Sequence, residues 1–396
     1  FGMTEDYKPK GRKLLLVLFV LAVATLGANF YIKSGVEPLI EPVVEENEEE
    51  IEEPARPLSA KATTVASELS IPWEIVFLPS GEMLVTERSG SLVRVRGGVK
   101  EPIPIAGVRH SGEGGLLGVA LHPAYESNGF IYLYFSTTNA GRAVNQVMRY
   151  VLRGSVFTED KLILGNIPAA GNHNGGRIAF GPDGFLYVTT GDAGRSDWAQ
   201  DKYSLAGKIL RVTADGEIPE DNPFNNEVYS YGHRNPQGLA WDNLGRLWST
   251  EHGRSGLQSG YDEINLIEKG GNYGWPDIEG DETREGMLRP ILHSGPDTTW
   301  APAGIVFLPA TPARAGQTGH SGKLYWVGLR GSALYEAEVT PLGTLLSPKS
   351  YFAGEFGRLR AIIIGPGGAL YLSTSNTDGR GNVREGDDRI LKVGFE

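Results

Sequence analysis

The chain has 396 residues, no Cys, 54 Gly and a formal net charge of −11, so a thiolate metal site, a disulfide framework and a cysteine nucleophile are all excluded. An acidic chain is also a poor partner for nucleic acid, and glycines without a three-residue period exclude a collagen-like fold. With 40% hydrophobic residues, including 7 Trp, 16 Tyr and 14 Phe, there is enough apolar surface for a large core.

Lys8, Lys10, Arg12 and Lys13 precede an apolar run over residues 14–32. At about 1.5 Å rise per residue the run spans roughly 29 Å, close to a bilayer core. The flanking bases predict that residues 1–13 stay in the cytoplasm. A retained transmembrane anchor is the expectation. The rival reading is a signal segment cleaved near Ala22-Val23-Ala24. Either one exports the remainder, as a periplasmic or cell-surface domain that is tethered in the first case and secreted in the second.

Residues 33–58 read as an acidic, disordered linker, with nine Glu and no base between 37 and 54. Like charges at this density repel and keep the segment extended. The linker also holds most of the net charge. Setting aside its −9, the +2 of residues 1–13 and the +1 of Lys33 leaves −5 for residues 55–396.

From residue 59 to the end there is no long 3.6-residue apolar pattern. One phrase recurs six times: a Gly turn, then an apolar-aromatic strand ending in small polar residues. The copies are SGEMLVTERSG (80–90), NGFIYLYFSTT (128–138), DGFLYVTTGDAG (183–194), LGRLWSTEHG (244–253), SGKLYWVGLRG (321–331) and GGALYLSTSNTDG (367–379). Short strands repeated without covering helices predict an all-β, six-bladed β-propeller over 59–396. Ring closure requires a strand near 60–65 to join the last blade, which ends in RILKVGF (389–395).

Polar clusters stand beside these strands: GEGGLLGVALHP (112–123), HNGGR (173–177), GHRNPQGLA (232–240), DEINLIEKGGNYGWP (262–276) and GRLRAIIIGPGGALYLST (357–374). In a propeller such loops meet at one mouth. One base candidate with several arginines at a shared mouth points to a flat anionic cofactor beside a proton acceptor.

The strings GHRNPQGLA and DEINLI-x-KGGNYGWP, in that order, resemble the soluble pyrroloquinoline quinone (PQQ)-dependent aldose/glucose dehydrogenases, the glucose/sorbosone dehydrogenase family. The resemblance runs from about Ile71 to the end. It implies oxidation of an aldose at C1 to a lactone with PQQ and Ca2+ as cofactors. Electrons would pass to a quinone, a cytochrome or a dye. His173 takes the place of the general base, a role that suits imidazole because its ordinary pKa of about 6.5 leaves it mostly neutral at pH 7. Arg234, Asn235, Thr299, Arg330, Arg358 and Arg360 take the places of cofactor contacts, with Arg330 standing where the soluble glucose enzyme has a lysine. Arginine holds the carboxylates of such a cofactor in a bidentate fork.

Glu113, Asn172 and Trp300 correspond to the sugar pocket. Glu113 replaces a Gln and Asn172 replaces an Asp, which implies a different substrate range. One calcium ion would take the backbone carbonyls of Gly253 and Arg254, where Arg254 replaces a Pro. A second would take the Glu263 side chain and the Tyr273 carbonyl. Two alternatives use the same fold: a calcium-dependent lactonase, whose acidic ring has no use for four arginines, and a non-catalytic ligand-binding propeller, which would not need His173. Fold by itself does not choose among them.

Overall fold

The computed structural model describes residues 60–256, 259–310 and 322–395. Strand β1 (Ala60–Ala66) leads into five consecutive meanders. Blade 1 is β2 (Pro72–Phe77), β3 (Met83–Glu87), β4 (Ser91–Arg96) and β5 (Val99–Pro104). Blade 2 is β6 (Leu116–Leu121), β7 (Phe130–Asn139), β8 (Arg142–Arg153) and β9 (Val156–Pro168). Blade 3 is β10 (Ile178–Phe180), β11 (Leu186–Thr190), β12 (Lys208–Val212) and β13 (Val228–Tyr231). Blade 4 is β14 (Pro236–Trp241), β15 (Leu247–Glu251), β16 (Glu263–Ile267) and β17 (Leu292–His293). Blade 5 is β18 (Pro302–Pro309), β19 (Gly322–Gly328), β20 (Leu334–Val339) and β21 (Leu345–Tyr351). Blade 6 is β22 (Leu359–Ile364), β23 (Leu370–Thr374), β24 (Ile390–Phe395) and, as its outer strand, β1. The pairing of Ala60 with Phe395 and of Thr64 with Leu391 closes the ring where the sequence required it.

The phrase repeated in the sequence is the second strand of every blade. This strand packs against both neighbouring blades, so β3, β11, β15 and β23 are buried along their whole length. Its small polar end has a separate cause. Most innermost strands carry a bulge near their start, as between Pro72 and Glu74 and between Leu359 and Ile362. A bulge leaves a backbone group outside the ladder, and a hydroxyl on the second strand takes it up. Thr86 accepts the Glu74 N–H at 3.0 Å, and Ser373 accepts the Ala361 N–H at 3.0 Å. The same hydroxyls donate onward to the innermost strand of the next blade, Thr86 to the Leu117 carbonyl at 2.5 Å and Ser373 to the Pro72 carbonyl at 3.3 Å. Where the repeat ends in Ser or Thr, as in blades 1 and 6, that position joins two blades; the fifth copy ends in Val327-Gly328 and has no such hydroxyl.

Neighbouring innermost strands approach closely. A Cβ on Gly238 would lie 2.5 Å from the Ala303 carbonyl oxygen, so no side chain is accommodated there. Six hydrophobic clusters fill the spaces between adjacent blades, one at each junction around the ring. In an up-and-down blade the start of the first strand and the end of the second share one rim. Segments preceding the first strands and following the second strands therefore gather at a single mouth.

The anchor expected over 14–32 and the linker over 33–58 lie outside the described residues. Among the described residues no helix is long and apolar enough to cross a membrane.

Candidate active site

The mouth holds a cleft of about 440 Å³. Ten residues singled out from the sequence line it: Glu113, Asn172, His173, Arg234, Gly253, Arg254, Thr299, Arg330, Arg358 and Arg360. Blades 2 to 6 supply this set at that one rim, with Arg360 on β22 itself, and blade 1 adds Trp73 to the lining.

His173 lies in the loop between β9 and β10, in the left-handed region at φ +56°. Its Nδ1 is 2.7 Å from Asp192 Oδ1. Asp192 is buried and also accepts the indole N–H of Trp275 at 2.9 Å and the Gly194 N–H at 2.8 Å. Burial works against ionisation of this carboxylate, but its hydrogen bond to His173 and the other two donors hold its pKa below the ordinary value. An ionised carboxylate only accepts, so Nδ1 of His173 carries a proton and Nε2 is the ring nitrogen left to face the cleft. Behind the loop, a Cβ on Gly191 would collide with the His173 carbonyl, which explains a glycine there.

Glu113 stands beside the histidine. It accepts the His173 backbone N–H at 2.9 Å and Arg380 Nη1 at 2.8 Å. Burial alone would raise its pKa. The His173 N–H and the Arg380 charge outweigh that and bring it down to about 2.

The arginines divide into two groups. Arg358 grips Asp378 through Nε (2.9 Å) and Nη2 (2.8 Å), Arg254 pairs with Glu279 at 3.0 Å, and Arg380 pairs with Glu113. Arg234, Arg330 and Arg360 have no carboxylate in ion-pair contact among the described residues. Arg234 donates to Ser255 Oγ at 3.0 Å, Arg330 to Ser259 Oγ at 2.9 Å and Arg360 to Gln237 Oε1 at 2.7 Å. Arg360 is 6% exposed and its Nε has no partner. Burial, reinforced by Arg88, pushes its pKa down to about 9, still well above neutral pH. Near it, His252 Nε2 is buried and unpartnered, and burial followed by the Arg360 charge holds that imidazole at about 3, hence neutral. A cleft holding buried cations and an unmet polar atom fits an anionic ligand.

Four expected site residues do not line the cleft. Asn235 is 1% exposed, and its Oδ1 accepts the Gly175 N–H at 3.0 Å and Gln237 Nε2 at 3.2 Å. It braces the loop that carries His173 instead of facing a ligand. The Trp300 ring packs inside blade 5 against Tyr335 (centroids 5.7 Å apart) and Trp326 (6.0 Å). Glu263 and Tyr273 sit behind the cleft with Glu251 and Glu279. Glu263 is hydrogen-bonded by Asn265 at 3.0 Å, and burial, then the neighbouring Glu251 charge, raises its pKa well above the ordinary value. A carboxylate so placed suits a cation partner. Among the described residues no group of three or more His, Asp or Glu side chains could hold a metal ion. A cation at these positions therefore depends on backbone carbonyls. The Arg254 side chain is turned onto Glu279 and lies over the Tyr261 ring at 4.8 Å, so its charge is met by a carboxylate.

The family model for glucose/sorbosone dehydrogenase matches residues 69–385. The chain belongs to this family. Escherichia coli aldose sugar dehydrogenase YliI is 31% identical over 356 residues, covering 82% of this chain and 92% of that protein. A Streptomyces coelicolor aldose sugar dehydrogenase solved in its PQQ-bound form is 39% identical, with a TM-score of 0.75 over 86% of this chain and all of its own. A Thermus thermophilus oxidoreductase described as a glucose dehydrogenase is 43% identical, with a TM-score of 0.78 over 85% of this chain and all of its own. Like its relatives, this glucose/sorbosone dehydrogenase family member is an oxidoreductase.

Several residues of this family member's site escape sequence reasoning. Asp192 stands in the GDAG tail of a repeat and reads there as turn chemistry. Glu251 ends β15 and accepts the backbone N–H of Arg234, of Asn235 (3.3 Å) and Nδ1 of His233 (2.7 Å), which fixes the GHRN loop. Asp262 ties two loops together, accepting the N–H of Gly253 at 2.9 Å, Trp300 at 2.6 Å and Ala301 at 2.9 Å. The usable signal was position: each acid falls at or just beyond a second strand, or just before a third, on the mouth side.

Proposed function

We propose that the propeller oxidises aldoses at C1 to lactones, using PQQ and calcium, with His173 as the general base. The observation that carries this reading is the combination of an oriented imidazole with three arginines, Arg234, Arg330 and Arg360, that lack carboxylate partners at the same cleft. PQQ, when bound, supplies the two-electron acceptor, and its three carboxylates match those three cations. Calcium, when bound at the Gly253 and Arg254 carbonyls, supplies positive charge beside the cofactor; a second ion at Glu263 and the Tyr273 carbonyl would be structural.

The chain's own residues manage the proton. Nε2 of His173 removes the proton of the anomeric hydroxyl. Asp192 holds the ring in the tautomer that exposes Nε2 and stabilises the imidazolium once it forms. Trp275 and Gly194 keep Asp192 ionised, so the proton stays on the imidazole. Glu113 and Asn172 face the substrate hydroxyls. Thr299 and Arg358 line the cofactor side. Electrons then leave to a quinone, a cytochrome or a dye. The apolar run at 14–32 and the acidic linker support a position outside the cytoplasm, tethered to the membrane.

The test is reconstitution. PQQ and Ca2+ are added to the protein, and dye reduction is followed with a panel of aldoses. His173→Ala is expected to bind PQQ as tightly as the parent and to lose turnover. Absence of PQQ binding at micromolar concentration would overturn the cofactor reading, and full turnover by His173→Ala would overturn the base.

A further inference from the structure

Beside the cleft, between blades 5 and 6, lies a second cavity of about 290 Å³ whose charged lining residues are Arg330, Arg358, Arg380 and Arg384, with no Asp or Glu among them. The two spaces adjoin, since Arg330, Arg358 and Arg380 line both. Arg384 belongs to the annex alone. Its guanidinium donates to the backbone carbonyls of Glu355 and Gly354 (2.9 Å to Gly354), so it has no side-chain counter-charge in that network. A guanidinium has five N–H donors, and these bonds leave some of them open. Arg358 is neutralised by Asp378 and Arg380 by Glu113, whereas Arg330 has only the hydroxyl of Ser259 as a side-chain partner among the described residues. Arg330 would be met by the cofactor in the reading above, so Arg384 is the annex cation that remains without a carboxylate partner among the described residues, and it lies beyond the residues that would serve the cofactor.

The annex is also connected to the base. Glu113 accepts the His173 backbone N–H through one oxygen and Arg380 through the other. One side chain thus separates the histidine loop from the arginine cluster. A sugar with C1 at His173 whose far end ran past Glu113 would meet that cluster.

We propose that the annex is an anion subsite and that the preferred substrate is an aldose carrying a carboxylate or a phosphate away from C1. Arginine recognises both groups in the same bidentate geometry. This inference rests on the aldose-oxidising reading above and narrows its substrate class.

The experiment compares kcat/KM of the PQQ- and Ca2+-loaded protein for glucose, glucuronate and glucose 6-phosphate at low ionic strength. At least one of the two anionic sugars is expected to exceed glucose by about ten-fold, and which of them does so identifies the anion. Raising the salt to about 0.5 M is expected to erase most of the difference, because the annex arginines are exposed and screened. In Arg384→Gln the anionic-to-neutral ratio is expected to fall at least about five-fold, while Arg384→Lys keeps most of it. Equal or better use of glucose, or an unchanged ratio in a folded Arg384→Gln protein, would overturn the anion subsite and leave the dehydrogenase reading standing. If no aldose at all is oxidised by protein that has bound PQQ, both readings fail together. That outcome is distinct from oxidation without an anionic preference.

Discussion

At the scale of single residues, the pairing of His173 with Asp192 makes the sharpest demand. Asn at 192 would present an amide donor to Nδ1 and favour the tautomer with its proton on Nε2, the wrong one for a base. Asp192→Asn is expected to lower kcat by ~100-fold or more with PQQ affinity little changed. A kcat within about two-fold of the parent would refute the pairing's role. Glu113 makes a second demand, on stability. Its folded pKa lies near 2, below the ordinary 4.5. A carboxylate depressed in this way stabilises the fold above its unfolded pKa, and that contribution is lost as pH falls from about 4.5 toward 2. Glu113→Gln should therefore be less stable than the parent at pH 6 by ~1–3 kcal/mol. The two should converge as acid is added, as read from urea midpoints against pH. His173, Arg234, Arg358 and Arg360 were legible in sequence because they stand in long recognisable strings, whereas Arg380, which lines the same cleft, was not. Asp192 was not, because a lone Asp in a Gly-rich tail has the same local appearance as any turn acid.

At the scale of elements, the repeat is a joining device as much as a strand. Its apolar part fills the space between blades, and its hydroxyl end links a bulged innermost strand to the next blade. The glycines of the innermost strands belong to the same device. Gly238→Val would push a branched side chain against the Ala303 carbonyl and Thr250. It is expected to cost ~2–3 kcal/mol and lower Tm by several degrees, measured by calorimetry. A Tm equal to that of the parent would show that the strands can part there. The same loops explain which sequence expectations moved. Asn235 immediately precedes Pro236, the start of the buried strand β14, and its side chain turns inward to the Gly175 N–H. Trp300 precedes β18 and finds an aromatic pocket on blade 5 that only the assembled sheet supplies.

At the scale of the whole molecule, closure depends on β1. Residues from the two ends of the propeller domain share one sheet, and Ala60 and Ala62 pack against the cluster between blades 5 and 6. A chain beginning at Leu69 would leave the outer edge of β24 open. It is expected to unfold about 5 °C or more below the parent and to self-associate through that edge, as seen by calorimetry and light scattering. A monomer of parental Tm would mean that closure lies elsewhere.

The sequence by itself determined the number of blades, the closing strand and ten of the residues that line the mouth. These follow from local rules, namely a repeated strand phrase, turn glycines and contiguous motifs, each readable within some ten residues. Only the tertiary structure decided which cations keep a carboxylate and which do not. The Glu113–Arg380 pair joins residues 267 positions apart, and Arg254 is turned onto Glu279 by a neighbouring loop. Charge pairing across such distances depends on where six blades bring their loops. The net charge of −11 holds no trace of it: a mildly acidic propeller surrounds a mouth in which arginine predominates.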